Sequence, residues 1–174
     1  MTSAATYLLD ANVFMQAKNL HYGLDFCPAF WEWLIKNNAA GRVFSIEKVN
    51  DEIQAGNDEL STWAAQRGAG FFLPPDQSLL SVLAQVSTWA TNHTWGKQQR
   101  YSPSAVNTFL QVADYYLVSH ALAHKHVVVT HEKVEAAINR IKIPNACIAL
   151  NIKCMTPFEM LRRERARFVL GTHP

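Results

Sequence analysis

The sequence predicts an α/β protein with a parallel central sheet. Two observations lead to this prediction. Short apolar runs alternate with amphipathic helical segments along the chain, and the runs stay apolar instead of alternating with polar residues. A strand with that pattern is buried on both faces, as happens when helices cover both sides of a parallel sheet. Residues 126–130 (HVVVT) are the clearest example.

Five short apolar runs are expected to form the strands. They are residues 7–9, 42–44, 71–73, 126–130 and 152–154. Helical spacing of apolar residues predicts helices over residues 28–38, 104–124 and 144–150, and from Asp76 through Trp89. Residues 93–100 are polar and contain Gly96, so they are expected to form a loop.

Capping residues predict where three further helices begin. Ser45 is expected to cap a helix that ends at Gly56, and Asn57 to cap the short helix that follows. Thr156 precedes a proline, which favours the first helical position, so a last helix is expected from there through Phe168. The helices and strands then alternate over nearly the whole chain.

The composition indicates which class of protein this is. The 174 residues, of which 49% are hydrophobic, predict one domain, residues 1–174, with a sizeable core. No apolar run approaches the roughly 20 residues that a membrane span needs, and the first ten residues do not resemble a secretory signal. The three cysteines form no CxxC motif, so free thiols are expected. A cytoplasmic protein without a membrane segment is predicted.

The charge is distributed unevenly. Residues 1–90 carry a net charge of −4 and residues 91–174 a net charge of +6, although the whole chain carries only +2. This division is compatible with a chain that gathers carboxylates in one place and binds an anionic polymer in another. Ordinary scatter of charges explains it equally well.

Four acidic residues lie where the strands of such a sheet would end. Asp10 follows the first strand, Glu52 lies on the helix after the second, Asp114 precedes the valine-rich strand, and Glu132 follows it. In open parallel sheets, sites form beyond the carboxyl ends of the strands. Carboxylates crowded there repel one another unless a cation neutralises them, and Mg²⁺ or Mn²⁺ prefers oxygen ligands. Such ions can activate water for attack on phosphorus.

Four segments of the chain resemble the PIN-domain family. Residues 7–14 (YLLDANVF) are similar to its opening strand, and residues 113–121 (ADYYLVSHA) to its internal Ala-Asp-x-x-Leu segment. Residues 127–132 (VVVTHE) resemble its Val-Val-Thr-x-Asp/Glu strand, and residues 45–56 (SIEKVNDEIQAG) the segment that supplies its second acid. Each motif is short, but the four occur in the family's order.

The resemblance implies a Rossmann-like, three-layer α/β/α fold and a Mg²⁺- or Mn²⁺-dependent endoribonuclease. It assigns catalysis and metal binding to four acids: Asp10, Glu52, Asp114 and Glu132. Asn12 and Thr130 would be polar neighbours that orient water or metal. Many small family members are toxins of bacterial toxin–antitoxin pairs, so a small antitoxin protein is the expected partner, and a homodimer is consistent with the high apolar fraction.

Two features depart from the family pattern. The fourth acid is more often Asp, and the longer Glu132 is expected to reach a metal through water. The segment 58–100 is longer and richer in tryptophan than in the shortest members. In that segment Trp95, Lys97 and Arg100 are candidates for stacking on and steering single-stranded RNA.

Two other functions remain open at this point. A module of the same fold that binds RNA without cutting it is one alternative, although it would not need four convergent acids. A DNA-directed nuclease of the same superfamily is the other. Residue types alone do not separate RNA from DNA as the substrate.

Overall fold

A five-stranded parallel sheet forms the centre of the fold. We describe it from a computed structural model that covers residues 4–95 and 99–171. The sheet contains β1 (Tyr7–Leu9), β2 (Val43–Ile46), β3 (Phe72–Leu73), β6 (Val127–Val129) and β7 (Cys154–Met155), in the spatial order β3-β2-β1-β6-β7. In register, Leu8 lies opposite Phe44 on one side and Val128 on the other.

Helices cover both faces of the sheet, which gives the predicted three-layer α/β arrangement. The first helices are α1 (Ala11–Gln16), continued by a π-helical turn at Ala17–His21, then α2 (Pro28–Ala39), α3 (Glu47–Ala55) and α4 (Glu59–Ala65). After β3 come α5 (Leu79–Asn92), α6 (Pro103–Gln111) and α7 (Ala113–His124). The last two are α8 (Ile143–Ala149) and α9 (Pro157–Arg163).

The apolar runs of the neighbouring strands β1 and β6 are buried at every position, as their patterns predict, whereas β7 is only partly buried. Tyr7, Leu8 and Leu9 of β1 have no exposed surface, and neither have Val128 and Val129 of β6. Deleting such a side chain to Ala costs about 2–5 kcal/mol of stability for a leucine. The sheet is therefore a rigid platform whose carboxyl edge holds whatever follows β1 and β6.

The cysteines are free thiols, as the sequence predicts. None of the helices in the described parts of the chain has the length and apolar character that crossing a membrane requires.

Two predicted helix caps are wrong. Ser45 lies inside β2, where its hydroxyl donates to the Leu9 carbonyl at 2.6 Å, and α3 begins after Ile46 without a side-chain cap. Asn57 has a φ of +48°, and the neighbouring Asp58 caps α4 instead, accepting from the Ser61 N–H at 3.1 Å. The Ser45 hydroxyl thus satisfies a strand carbonyl and not a helix N-terminus, and α4 is capped one residue later than predicted. Thr156 does cap α9, as predicted.

The predicted continuous helix over residues 104–124 is wrong. Val112 adopts an extended conformation with φ −104° and ψ 168°, which separates α6 from α7. Asp114 consequently lies in the first turn of α7, beside the sheet edge, and not in the middle of a longer helix. The apolar spacing is the same on both sides of the break, so periodicity did not reveal it.

Several other bounds differ from the prediction, among them those of β2 (predicted as 42–44) and of β7 (predicted as 152–154). The expected loop over residues 93–100 contains an antiparallel pair, β4 (Thr94–Trp95) and β5 (Gln99–Arg100). α5 begins at Leu79, later than the predicted Asp76. The last helix ends at Arg163, short of Phe168, and Arg165 has a positive φ of 53° that a continuing helix would not allow.

Candidate active site

Asp10 is placed at the carboxyl end of β1 by two hydrogen bonds. Its side chain is 4% exposed and caps α1, with Oδ1 accepting from the Ala11 N–H at 2.7 Å. Its Oδ2 accepts from the Thr130 hydroxyl at 2.8 Å. Because Thr130 follows β6, this second bond joins the ends of two adjacent strands and fixes the carboxylate between them.

Asn12 and Thr130 form a polar bridge beside Asp10. The Asn12 amide donates to Thr130 Oγ1 at 3.1 Å, and its oxygen accepts from the His131 N–H at 3.1 Å. The Glu132 N–H also donates to Thr130 Oγ1, at 3.1 Å. The hydroxyl therefore accepts from two donors, which directs its own proton towards Asp10. The structure places both predicted polar residues where they orient that carboxylate.

Asp114 and Glu52 come to the same region from two helices. Asp114 lies in the first turn of α7, and Glu52 on α3, which packs against α7. The backbone N–H of Ala113, next to Asp114, donates to the Glu52 carboxylate. Burial raises the pKa of Glu52, and this donor partly offsets the rise. The break at Val112 is what brings the start of α7 to this edge.

The carboxyl groups influence one another's ionisation. Burial, followed by the charge of Asp114, raises the pKa of Asp10 to about 8, and the Thr130 hydroxyl opposes that rise. Burial, followed by the charges of Glu132 and Glu52, raises the pKa of Asp114 to about 7. All four predicted acids thus share one electrostatic environment, in which neighbouring negative charges disfavour ionisation.

Glu132 is held by the segment that follows β6. Its Oε1 accepts from Arg140 at 3.1 Å and lies 3.9 Å from the Lys142 ammonium, and its Oε2 accepts from the Ile143 N–H at 2.8 Å. The Glu132 side chain is 12% exposed. This carboxylate thus anchors residues 132–143 to the start of α8. Arg140 and Lys142 neutralise its negative charge.

The donor set fits a hard divalent cation in chemical type. The buried Asp10, the partly buried Asp114 and the exposed Glu52 offer carboxylate oxygens in one negatively charged region, and Mg²⁺ and Mn²⁺ prefer oxygen donors. Among the residues that the structure describes, no three His, Cys, Asp or Glu side chains converge closely enough to hold a metal ion. Asp10 and Asp114 are the residues that would hold such an ion.

Two of the three predicted RNA-contacting residues lie on the antiparallel pair of β4 and β5. Trp95 lies on β4 and the exposed Arg100 on β5, while Lys97 lies outside the described residues. The end of this hairpin touches the segment after β6, because the Ser102 N–H donates to the Ile138 carbonyl at 2.8 Å. In the described part of the chain, no contact links Arg100 to the four acids.

Sequence reasoning missed the residues on the other side of the acidic cluster. Arg140 and Lys142 lie near Asp114, where their charges partly offset the rise in its pKa. They belong to the connection between β6 and α8, which has neither helical nor strand periodicity. The uneven charge of the chain was the one signal, because it predicts basic groups in the second half.

A family profile described as "Domain of unknown function (DUF4411)" matches residues 7–168. The chain belongs to the DUF4411 family. The matched range begins at β1 and ends beyond α9, so it contains the sheet and all four acids. No curated protein matches the chain significantly.

Two solved structures share the fold of this DUF4411 protein. A chain in the structure of FitAB bound to an IR36 DNA fragment superposes with a TM-score of 0.52 at 19% identity, covering 97% of this chain and 100% of that chain. The crystal structure of FitAcB from Neisseria gonorrhoeae gives a TM-score of 0.51 at 17% identity, covering 88% and 99%. These are PIN-domain structures, so the predicted PIN fold is confirmed.

Proposed function

We propose that this protein is a cytoplasmic Mg²⁺- or Mn²⁺-dependent endoribonuclease. One observation carries the proposal: two aspartates from distant parts of the chain, the buried Asp10 and the partly buried Asp114, lie close enough at the carboxyl edge of the sheet to interact electrostatically. Two such carboxylates side by side repel each other and destabilise the fold when both are ionised. A bound divalent cation would offset that repulsion, and the PIN fold supports a nuclease reaction for the cation.

In this proposal Asp10 and Asp114 hold the cation, and Glu52 contributes from α3. The bound ion would lower the pKa of a water molecule and neutralise charge on the phosphate. Thr130 keeps Asp10 Oδ2 oriented, and Asn12 keeps the Thr130 hydroxyl oriented. Hydrolysis adds the water oxygen to phosphorus and breaks the bond to the 3′ oxygen, which takes a proton. The products are a 5′-phosphate and a 3′-hydroxyl.

Glu132 has a different part in this proposal. Because Arg140, Lys142 and the Ile143 N–H already engage its carboxylate, Glu132 would act on the cation only through water, and it holds the segment 132–143 in place. Arg140 of that segment lines the same cleft as Asp114. An RNA phosphate that enters the cleft would meet carboxylates on one side and a guanidinium on the other.

We also propose that the protein is the toxin of a toxin–antitoxin pair, bound by a small antitoxin protein, and that it forms a homodimer. The fold shared with the FitAB and FitAcB complexes supports this. Light scattering of the purified protein tests the dimer, since the chain mass is 19.6 kDa and a dimer doubles it. A particle of monomer mass at all concentrations would refute that part.

Cleavage of a labelled single-stranded RNA, beside DNA of the same sequence, tests the nuclease proposal. The wild type is assayed with Mg²⁺, Mn²⁺ or EDTA, together with Asp10→Asn, Asp114→Asn and the control Asp51→Asn, an exposed acid on α3. We expect metal-dependent cutting of RNA by the wild type and the control, and none by the two site variants.

Three results would contradict the proposal, each in a different way. Cutting of DNA alone would make the protein a deoxyribonuclease. Binding of RNA without cutting under all metal conditions would make it a binding module. Equal cutting by wild type and Asp10→Asn would show that Asp10 is not part of the site.

A further inference from the structure

A cavity of about 400 Å³ adjoins the acidic cluster. Glu52 and Asp114 form one side of it. Helix α6 contributes Thr108 and Phe109, and the connection between β6 and α8 contributes Asn139 and Arg140. The cavity therefore shares Glu52 and Asp114 with the acidic cluster, and it extends from them to α6 and to the connection between β6 and α8.

The cavity has an apolar interior and polar groups around it. Ala105, Phe109 and Ile141 line it, and each is at most 5% exposed, so this part of the wall is supported by the core. Thr108 and Asn139 are exposed at its edge and offer a hydroxyl and an amide. A planar apolar ligand with hydrogen-bonding groups on its edge matches such a site, and an unstacked nucleobase has that chemistry.

Arg140 adds a cation at the side of the cavity that faces the acids. Its side chain is 62% exposed, and its guanidinium donates to Glu132 at 3.1 Å, which holds it in place without enclosing it. A guanidinium has five N–H donors and binds phosphate oxygens well. A single ligand that joins an apolar ring to a phosphate would thus fill the apolar interior, form hydrogen bonds at the edge and bind the Arg140 guanidinium.

The volume limits the size of this ligand. Small-molecule sites range from roughly 300 to 1,000 Å³. At about 400 Å³ the cavity lies near the lower end of that range, which suits one nucleotide and not a run of stacked bases.

We propose that the cavity is a subsite for one nucleotide of the RNA, whose base occupies the apolar interior while Arg140 binds the adjoining phosphate. The base edge meets Asn139 and Thr108, which gives the enzyme a sequence preference at one position next to the cleaved bond. This inference rests on the proposed ribonuclease function and names the part of the substrate that the site recognises.

Binding and cleavage are measured separately, so that the two proposals can fail independently. Thr108→Trp places a large side chain at the edge of the cavity from an exposed position, and Asn107→Trp is the matched control on the same helix, also exposed and not lining the cavity. Both substitutions are made in the Asp10→Asn background. Fluorescence anisotropy of a labelled single-stranded RNA in EDTA then reports binding without cleavage, and circular dichroism confirms that each variant is folded.

The cleavage arm uses active proteins and a pool of random-sequence RNA, with the cut ends read by sequencing. We expect Thr108→Trp to weaken RNA binding about tenfold and Asn107→Trp to leave it unchanged, and Asn139→Ala to flatten the base preference at one position. Equal binding by the two Trp variants would overturn the subsite, and so would an unchanged base preference in Asn139→Ala. Failure of the wild type to bind RNA would also overturn it. A protein that binds RNA through the cavity but never cuts would refute only the nuclease.

Discussion

The substitution Asp10→Asn is expected to stabilise the metal-free protein at high pH. The native state keeps Asp10 protonated up to a pKa of about 8, whereas the unfolded chain releases this proton near 3.8. The native state therefore binds the extra proton between these two pH values, and the free energy of unfolding falls as the pH rises through them. Asparagine cannot ionise, and its side-chain oxygen can still accept from the Ala11 N–H.

The size of the effect follows from the two pKa values. Between a pH of about 5.5 and a pH of about 9, Asp10 alone removes roughly 3 kcal/mol from the stability of the wild type. Chemical denaturation in EDTA at both pH values measures this loss. The Asp10→Asn protein should lose correspondingly less, while Asp51→Asn, which replaces an exposed acid, should follow the wild type.

Parallel pH dependence of the wild type and Asp10→Asn would refute the reasoning, because it would mean that Asp10 ionises in the native state as it does in the unfolded chain. A second measurement at high pH adds Mn²⁺. Since a ligand that binds only the native state stabilises it by mass action, Mn²⁺ should restore the wild type and leave Asp10→Asn unchanged.

Three other predictions concern neighbouring groups. Thr130→Val removes the donor to Asp10 at 2.8 Å and should weaken Mn²⁺ binding about tenfold in calorimetry, whereas Thr130→Ser should restore it. Glu132→Gln loses its charge-assisted bonds to Arg140 and the Ile143 N–H, which should lower the free energy of unfolding by about 1–3 kcal/mol and speed proteolysis within residues 132–143. An unchanged rate of proteolysis there would contradict the anchoring role. Mn²⁺ affinity of the wild type should rise with pH through the pKa values of about 7 and about 8 of Asp114 and Asp10, and a flat profile would show that these protons are not displaced.

The parts of the fold that follow from burial could be predicted from the sequence. β1 and β6 are apolar at every position because both faces are covered, and that pattern has no other common explanation in a short run. Asp10 and Thr130 could then be placed at the sheet edge, since each directly follows one of these strands.

The parts that depend on competition between polar groups could not be predicted. Ser45 is a good cap by residue type, but the Leu9 carbonyl in the neighbouring strand takes its hydroxyl. The break at Val112 is set by its extended backbone and leaves the apolar spacing unchanged. Such outcomes depend on residues that are distant in sequence.

The candidate site shows the same division. The four acids could be selected by their positions relative to the strands, and the structure brings them into one electrostatic environment. Arg140 could not be selected, because it lies in an irregular segment and is held at the site by its bond to Glu132. Its role depends on a contact that no local pattern encodes.

Calorimetric titration of the metal-free protein with Mn²⁺ tests the central claim most directly, because it asks whether Asp10 and Asp114 bind a cation before any substrate is chosen. We predict one binding event that releases protons near neutral pH, that is lost in Asp10→Asn and in Asp114→Asn, and that persists in Asp51→Asn. Absence of binding to the folded wild type, or equal binding by all four proteins, would contradict the account.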